Sequence, residues 1–392
     1  MTEFPTVRKI LLVYDVSYPS VDGGGQRRMY EVAKRLIAQG YQVDWLCFKT
    51  WDFDHPNDNS KINFIGLPGY KGLYNSSGSR RYLEPIEFLF SLWTSRIDIS
   101  QYDVVWSGQW PILHLVPWSY KKGIKEKLVV DWWEVWGKTW FDYSKVLGIF
   151  GYGIEKLLIW SITKNSRLIG ISESSTNEML ELASAKESVS LIHNGIDTKA
   201  LKKVLLKTQK NYDFSYIGRL KNHKRVDLLL RSIKYIEDQY SYMASAVIIG
   251  DGPEHDSLLT LAKELEIDDR IFFAGSVTDN IQAYSLMSSG KIFVNPSTKE
   301  GGGSITVLEA FGLGLPVVAF DCKDGIDPQI VGHGSRGLLV EAVSHEILGQ
   351  NLYELITSPS QLEMMSLKSL DFAEKFDWDE LCIKYKNIFD RI

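Results

Sequence analysis

Short apolar runs that end in glycine or an acidic residue alternate along this chain with stretches in which apolar positions recur every three or four residues. Residues 9–14 read as a buried strand, and behind three glycines residues 26–39 place Met29, Val32, Ala33, Leu36 and Ile37 on one helical face, before a second strand at 43–48. The second half shows the pattern more clearly. Strands are predicted at 214–218, 246–249, 271–274, 292–294 and 316–320, with helical spacing between them, as over 256–266. Strands that alternate with helices in this way predict an α/β fold of parallel sheets with helices on both faces. In such sheets ligands bind beyond the carboxyl ends of the strands.

Candidate chemistry gathers at those ends. After the strand at 292–294 the chain reads Asn295-Pro296-Ser297-Thr298-Lys299-Glu300-Gly301-Gly302-Gly303-Ser304-Ile305, and Glu309 lies inside the helix that follows. Glycines remove the side chains that would hold a ligand away from backbone N–H groups, and a helix starting near Ser304 turns its positive end toward an anion. A carboxylate accepts paired hydrogen bonds from vicinal hydroxyls, so Glu300 and Glu309 suit two polyols on either side of a diphosphate. The plainer reading is a turn capped by Ser304, with Glu309 on a solvated face.

Upstream, the strand at 214–217 ends in Gly218-Arg219-Leu220, and Lys224 follows five residues after the arginine. Two cations at a strand's carboxyl end make a diphosphate clamp, with Arg219 forking onto phosphate oxygens and Lys224 acting as a point charge. The strand at 246–249 closes in a Gly250-Asp251-Gly252-Pro253 turn on the same rim. A basic cluster such as Lys221, Lys224 and Arg225 also serves simply as a solvated face.

These motifs, in this order, resemble the retaining nucleotide-sugar glycosyltransferases of family four, which have the GT-B fold of two Rossmann-like domains facing a cleft. His193-Asn194-Gly195-Ile196-Asp197 is similar to that family's turn ahead of its second domain, and residues 296–318 to its Pro-Ser-x-x-Glu block. The resemblance implies catalytic roles for Arg219, Lys224 and Glu300. It implies donor binding by Gly218, Gly250, Gly252, Gly302, Gly303, Ser304, Ile305 and Glu309, with Glu309 on the ribose. One departure stands out, since eight residues separate Glu300 from Glu309 where the family has seven. An extra glycine in the turn accommodates it.

The first half carries less signal. Gly23-Gly24-Gly25-Gln26-Arg27-Arg28 has arginine where a dinucleotide fingerprint needs its last glycine, and the loop after the strand is too long, which argues against NAD binding. By the resemblance, Gly24 and Gly25 approach the donor and acceptor across the cleft; otherwise they form a surface turn. Residues 128–142 pack four tryptophans around several acids and lack the histidine that many relatives have there. Asp131, Trp132 and Glu134 are therefore candidates for the acceptor side, and tryptophan faces stack on sugars. Core filler is the alternative. Arg80-Arg81-Tyr82 reads as a mobile acceptor loop or a solvated one.

Composition narrows the classes. A net charge of −5 argues against nucleic acid, and Cys47, Cys322 and Cys382 form no zinc spacing and read as reduced thiols. Neither a metal nor a cofactor is expected beyond the nucleoside-diphosphate sugar as donor substrate. The chain starts without a signal-like stretch and has no run of about twenty apolar residues, so the expectation is a cytoplasmic protein. Segments 86–93 and 146–160, with Lys121, Lys122, Lys125 and Lys127, suit either core helices or peripheral contact with the inner face of the membrane. The expected organisation is an acceptor domain over 1–192, a donor domain over 193–370 after a polar linker at 202–213, and a segment at 371–392 whose helix (377–389) crosses back to the first domain. With the resemblance, these motifs imply glycosyl transfer from a nucleoside-diphosphate sugar to a hydroxyl of a glycan or lipid-linked acceptor. A nucleotide-sugar epimerase of the same fold, using His193 and His223, and a non-catalytic partner remain as alternatives.

Overall fold

The computed structural model describes residues 8–21, 23–51, 60–73, 81, 83–143, 145–300 and 303–392. The chain divides into two compact units, Met1–His193 with Trp378–Ile392, and Asn194–Asp377.

Among the described residues the first unit has a seven-stranded, all-parallel sheet of β1 (Lys9–Val13), β2 (Gln42–Phe48), β3 (Asn63–Leu67), β4 (Val104–Gly108), β5 (Leu128–Trp132), β6 (Arg167–Gly170) and β7 (Val189–Leu191), in the order β3-β2-β1-β4-β5-β6-β7. Its central strands are buried on both faces because each face carries helices. Gly24–Ala38 and the terminal helix Trp378–Phe389 cover one face through Met29, Val32, Leu36, Leu381, Tyr385 and Phe389. Glu84–Thr94, Leu115–Trp118 and Lys145–Asn165 cover the other through Phe88, Leu92, Leu115, Leu158, Ile159 and Ile162.

The second unit repeats the plan with β8 (Tyr212–Ile217), β9 (Ala246–Ile249), β10 (Ile271–Gly275), β11 (Gly290–Asn295), β12 (Val317–Phe320) and β13 (Gly337–Val340), parallel in the order β10-β9-β8-β11-β12-β13. Chain order reverses between β8 and β11. The loops that leave these two strands therefore diverge and open a crevice at their carboxyl ends, the switch point where such sheets take ligands.

Three expectations are corrected. The stretch expected as a linker, 202–213, begins inside a helix, Thr198–Leu205, and ends in β8; the N-cap Asp197 of that helix accepts from Ala200 N at 2.9 Å, and the helix buries Leu201 and Val204 in the second core. Its lysines masked a two-turn amphipathic pattern. The terminal crossing begins later than residue 371: Ala373 and Phe376 pack in the second core, and the return to the first unit starts at Trp378. The helix expected over 26–39 starts two residues earlier, so Gly24 and Gly25 form the first turn of Gly24–Ala38, with Gly23 as its N-cap.

Candidate functional site

Two loops build the rim at the switch point of the second sheet, and each is braced by its neighbour. The Gly218-Arg219-Leu220 turn is stitched to the turn after β9 by Gly218 N to Ile249 O (3.0 Å), Leu220 N to Asp251 O (2.9 Å) and Glu254 N to Leu220 O (3.1 Å). Contact is so close that a Cβ on Gly250 would stand 2.0 Å from Gly218 O, and one on Gly252 2.3 Å from Leu220 O. The missing side chains of Gly250 and Gly252 are thus accounted for by backbone packing beneath the rim.

The loop after β11 is fastened in the same way. Thr298 N donates to His223 O at 3.0 Å, the Ser297 hydroxyl donates to the same carbonyl at 3.3 Å, and Glu300 N donates to Asp324 O at 2.8 Å. These bonds bring the two loops together, and Lys224 Nζ meets Glu300 Oε1 at 2.7 Å. Both side chains keep some access to solvent, 21% for the lysine and 10% for the glutamate, so a ligand can reach the pair. Arg219 is exposed on the same rim.

Positive charge accumulates here. Burial, reinforced by Arg219 and Lys224, pushes the Lys221 ammonium below its ordinary value. His223 is also pushed down, by burial first and then by Lys224 and Lys221, which favours its neutral form. Arg225 stands apart, because its Nε and Nη2 donate to the two carboxylate oxygens of Asp227, each at 3.0 Å.

The helix Ile305–Gly312 starts from Ser304, which makes no side-chain cap; its hydroxyl pairs with that of Thr306 at 2.8 Å. Asn194 Nδ2 donates to Gly303 O and holds the approach to the helix. Ile305 packs in the core, so its amide is the group it can offer a ligand. Glu309 is 2% exposed and accepts from the Tyr284 hydroxyl at 2.7 Å, which overturns the solvated-face alternative. Gly302, like Gly301, lies outside the described residues. Sequence reasoning missed Tyr284, twenty-five residues away, and Asn194 as an anchor.

The first unit places its candidates differently. Strand alternation turns Asp131 toward the face covered by Gly24–Ala38, where it is fully buried. There it accepts from Arg28 Nε (2.9 Å), Tyr385 Oη (2.5 Å) and Trp106 Nε1 (3.2 Å). Arg28 in turn donates to the carbonyls of Ile192 and His193, both at 2.6 Å. Asp131 offers an acceptor no surface; it locks helix, sheet and terminal helix together. Trp132 alternates to the opposite core and is also fully buried.

Half-buried residues follow where the strand ends. Trp133 lies over Gly25, whose Cβ would stand 2.3 Å from the indole, and meets Tyr14 edge-on at 5.2 Å. Gln109 Oε1 accepts from Trp133 N at 3.1 Å, and its amide donates to Glu134 O at 2.8 Å. Trp110, Trp136 and Trp140 cluster with centroids 4.7–6.0 Å apart. Buried Glu155 braces them by accepting from Trp136 N, Gly137 N and Trp140 Nε1. Glu134 accepts from Trp136 Nε1 at 2.7 Å. Of Asp131, Trp132 and Glu134, only Glu134 joins a partly exposed aromatic group. Among the described residues no cluster of three His, Cys, Asp or Glu side chains is placed to hold a metal ion.

Comparison with known proteins agrees with this geometry. The profile described as "Glycosyl transferases group 1" matches residues 197–369, and that of "Glycosyltransferase Family 4" matches 22–200. An uncharacterized glycosyltransferase of Haemophilus influenzae is 33% identical over 172 residues, 44% of this chain and 47% of that protein. The N-acetyl-alpha-D-glucosaminyl L-malate synthase of Bacillus anthracis is 25% identical over 245 residues, 60% of this chain and 62% of its own. The chain thus spans about half to two thirds of these relatives' length. The crystal structure of Anabaena Alr3699/HepE in complex with UDP and glucose superposes with a TM-score of 0.73 at 17% identity, over 98% of this chain and 100% of that one, a likeness of fold.

Proposed function

We propose, for a chain that belongs to the group 1 glycosyltransferases and has their GT-B fold, that it moves a glycosyl group from a nucleoside-diphosphate sugar to a hydroxyl of a glycan or lipid-linked acceptor, with retention at the anomeric carbon. The observation that carries this reading is the accessible Lys224–Glu300 pair at the switch point of the second sheet, beside exposed Arg219. In the structure Lys224 and Glu300 each answer the other's charge. A diphosphate offers Lys224 a stronger partner and frees Glu300 for sugar hydroxyls. As the bond to the anomeric carbon breaks, charge grows on the diphosphate, and Arg219, Lys224 and the amides of Gly303 to Ile305 stabilise it. That supply of positive charge supports a reaction without a divalent metal. Glu309, set by Tyr284, is suited to the ribose hydroxyls.

A surface feature favours a lipid-linked acceptor and a peripheral position on the inner face of the cell membrane. Helix Glu84–Thr94 turns Phe88 and Leu92 into the core, while Leu83 just before it and its own Ile86, Phe90 and Trp93 form an outward stripe, with Trp93 82% exposed. On the same side of that sheet, helix Lys145–Asn165 exposes Ile149, Phe150, Leu157 and Trp160. Exposed Lys156 and Lys164 lie over the rings of Tyr152 and Trp160 at 4.3 and 5.3 Å. Exposed apolar side chains with lysines among them on the second helix suit the headgroup region of an anionic bilayer. Among the described residues no helix is long and apolar enough to cross one.

The test is incubation of the purified full chain with UDP-, GDP- and ADP-sugars and a panel of glycan and lipid-linked acceptors, with and without chelator. The anomeric configuration of any product is read by NMR. A metal-independent product that keeps the donor's configuration supports the proposal. Interconversion of the free nucleotide sugar would identify an epimerase, and no turnover or binding would identify a non-catalytic partner.

A further inference from the structure

The hydroxyl of Tyr216 sits in the second core with no hydrogen-bond partner among the described residues, and the residue is only 2% exposed. Tyr216 is the penultimate residue of β8, on the face that also carries Phe214, Ile248 and Val294. A phenylalanine would fill that place without burying a polar atom. The hydroxyl is directed to the strand's carboxyl end, under the Gly218 turn, where a Cβ on Gly218 would come within 2.8 Å of it. Burial pushes its pKa up, and the negative charge of Glu300 pushes it up further, so it is a neutral donor within electrostatic reach of that carboxylate, whose loop is tied to the loop after β8 through Thr298 N to His223 O and the Lys224–Glu300 pair. Buried orphan donors are uncommon, and a ligand-dependent partner is one of the few explanations for them.

Glu300 already has one donor, Lys224. If Lys224 moves to a diphosphate, as the transferase reading above requires, Glu300 loses the group that fixes its orientation at the moment it must face the sugar. We propose that Tyr216 is a positioning residue whose hydroxyl donates to the Glu300 carboxylate when Lys224 exchanges that carboxylate for the donor's diphosphate. The inference rests on the transferase reading and adds how the acidic residue is held during turnover.

The experiment compares wild type, Tyr216→Phe, Glu300→Gln and the double variant, using UDP-glucose, UDP-N-acetylglucosamine and GDP-mannose, each beside its own nucleoside diphosphate. Tyr216→Phe keeps the ring and removes only the unpaired hydroxyl, so the ligand-free thermal midpoint should be unchanged or higher. Nucleoside diphosphate affinity should stay within twofold, while kcat for transfer or donor hydrolysis falls at least tenfold with little change in KM. In the Glu300→Gln background the same substitution should have almost no further effect, because the hydroxyl works through that carboxylate. A kcat within twofold of wild type, or losses that simply multiply in the double variant, would overturn the inference alone. A wild-type protein that binds none of the probes would overturn the transferase reading and this inference with it.

Discussion

Two buried side chains of the first unit show how far a residue's type is from its role. His114 looks in isolation like candidate chemistry, yet its ring is fully buried between Phe88 and Trp118, at 5.6 and 5.4 Å, with Nε2 2.7 Å from Ser107 Oγ. Burial pushes its pKa down from 6.5 to about 4. A depressed pKa means the folded state binds the proton less tightly than the unfolded chain. The stability it supports is therefore complete above pH 6.5 and declines as pH falls toward 4, by about 3 kcal/mol. Urea unfolding between pH 7 and pH 4 should show this slope, and His114→Phe should flatten it; an equal slope in both proteins would refute the assignment. Asp131 is the complementary case, an acid within a tryptophan-rich segment whose two oxygens are taken by Arg28, Tyr385 and Trp106.

At the scale of elements, the position of a turn depends on the turn beside it. Gly250 has φ near +132° and no room for a Cβ against Gly218 O. Gly250→Ala should therefore displace the Gly218-Arg219-Leu220 turn, lower stability by roughly 1–3 kcal/mol and weaken donor binding. Wild-type donor affinity in that variant would show that the two turns are not coupled. Strands and the main helices were legible because apolar runs and 3.6-residue spacing are local signals. The helix Thr198–Leu205 was hidden by its lysines, and Asp131 and Trp132 could be sorted only once the register of β5 fixed which core each faces. Glu309 was picked out by its motif, while Tyr284, which holds it, lies on another helix and leaves no local trace. Gln109 and Glu155, which anchor the tryptophan segment, were missed for the same reason.

For the whole molecule, two surfaces carry the account, one on each unit. The outward stripe of the first unit predicts binding to vesicles. Sedimentation with phosphatidylglycerol vesicles should exceed that with phosphatidylcholine, fall with salt, and drop several-fold in Phe90→Ser/Trp93→Ser, whose side chains are 63% and 82% exposed. Equal binding of the variant would remove the membrane from the account. The function proposed for the second unit stands or falls with its rim, which titration calorimetry of wild type and Lys224→Met with UDP-, GDP- and ADP-sugars probes. One nucleotide series should bind the wild type without added metal and bind Lys224→Met at least tenfold more weakly, with the circular dichroism of the two proteins alike. Undiminished binding by Lys224→Met, or no binding by the wild type to any series, would contradict it.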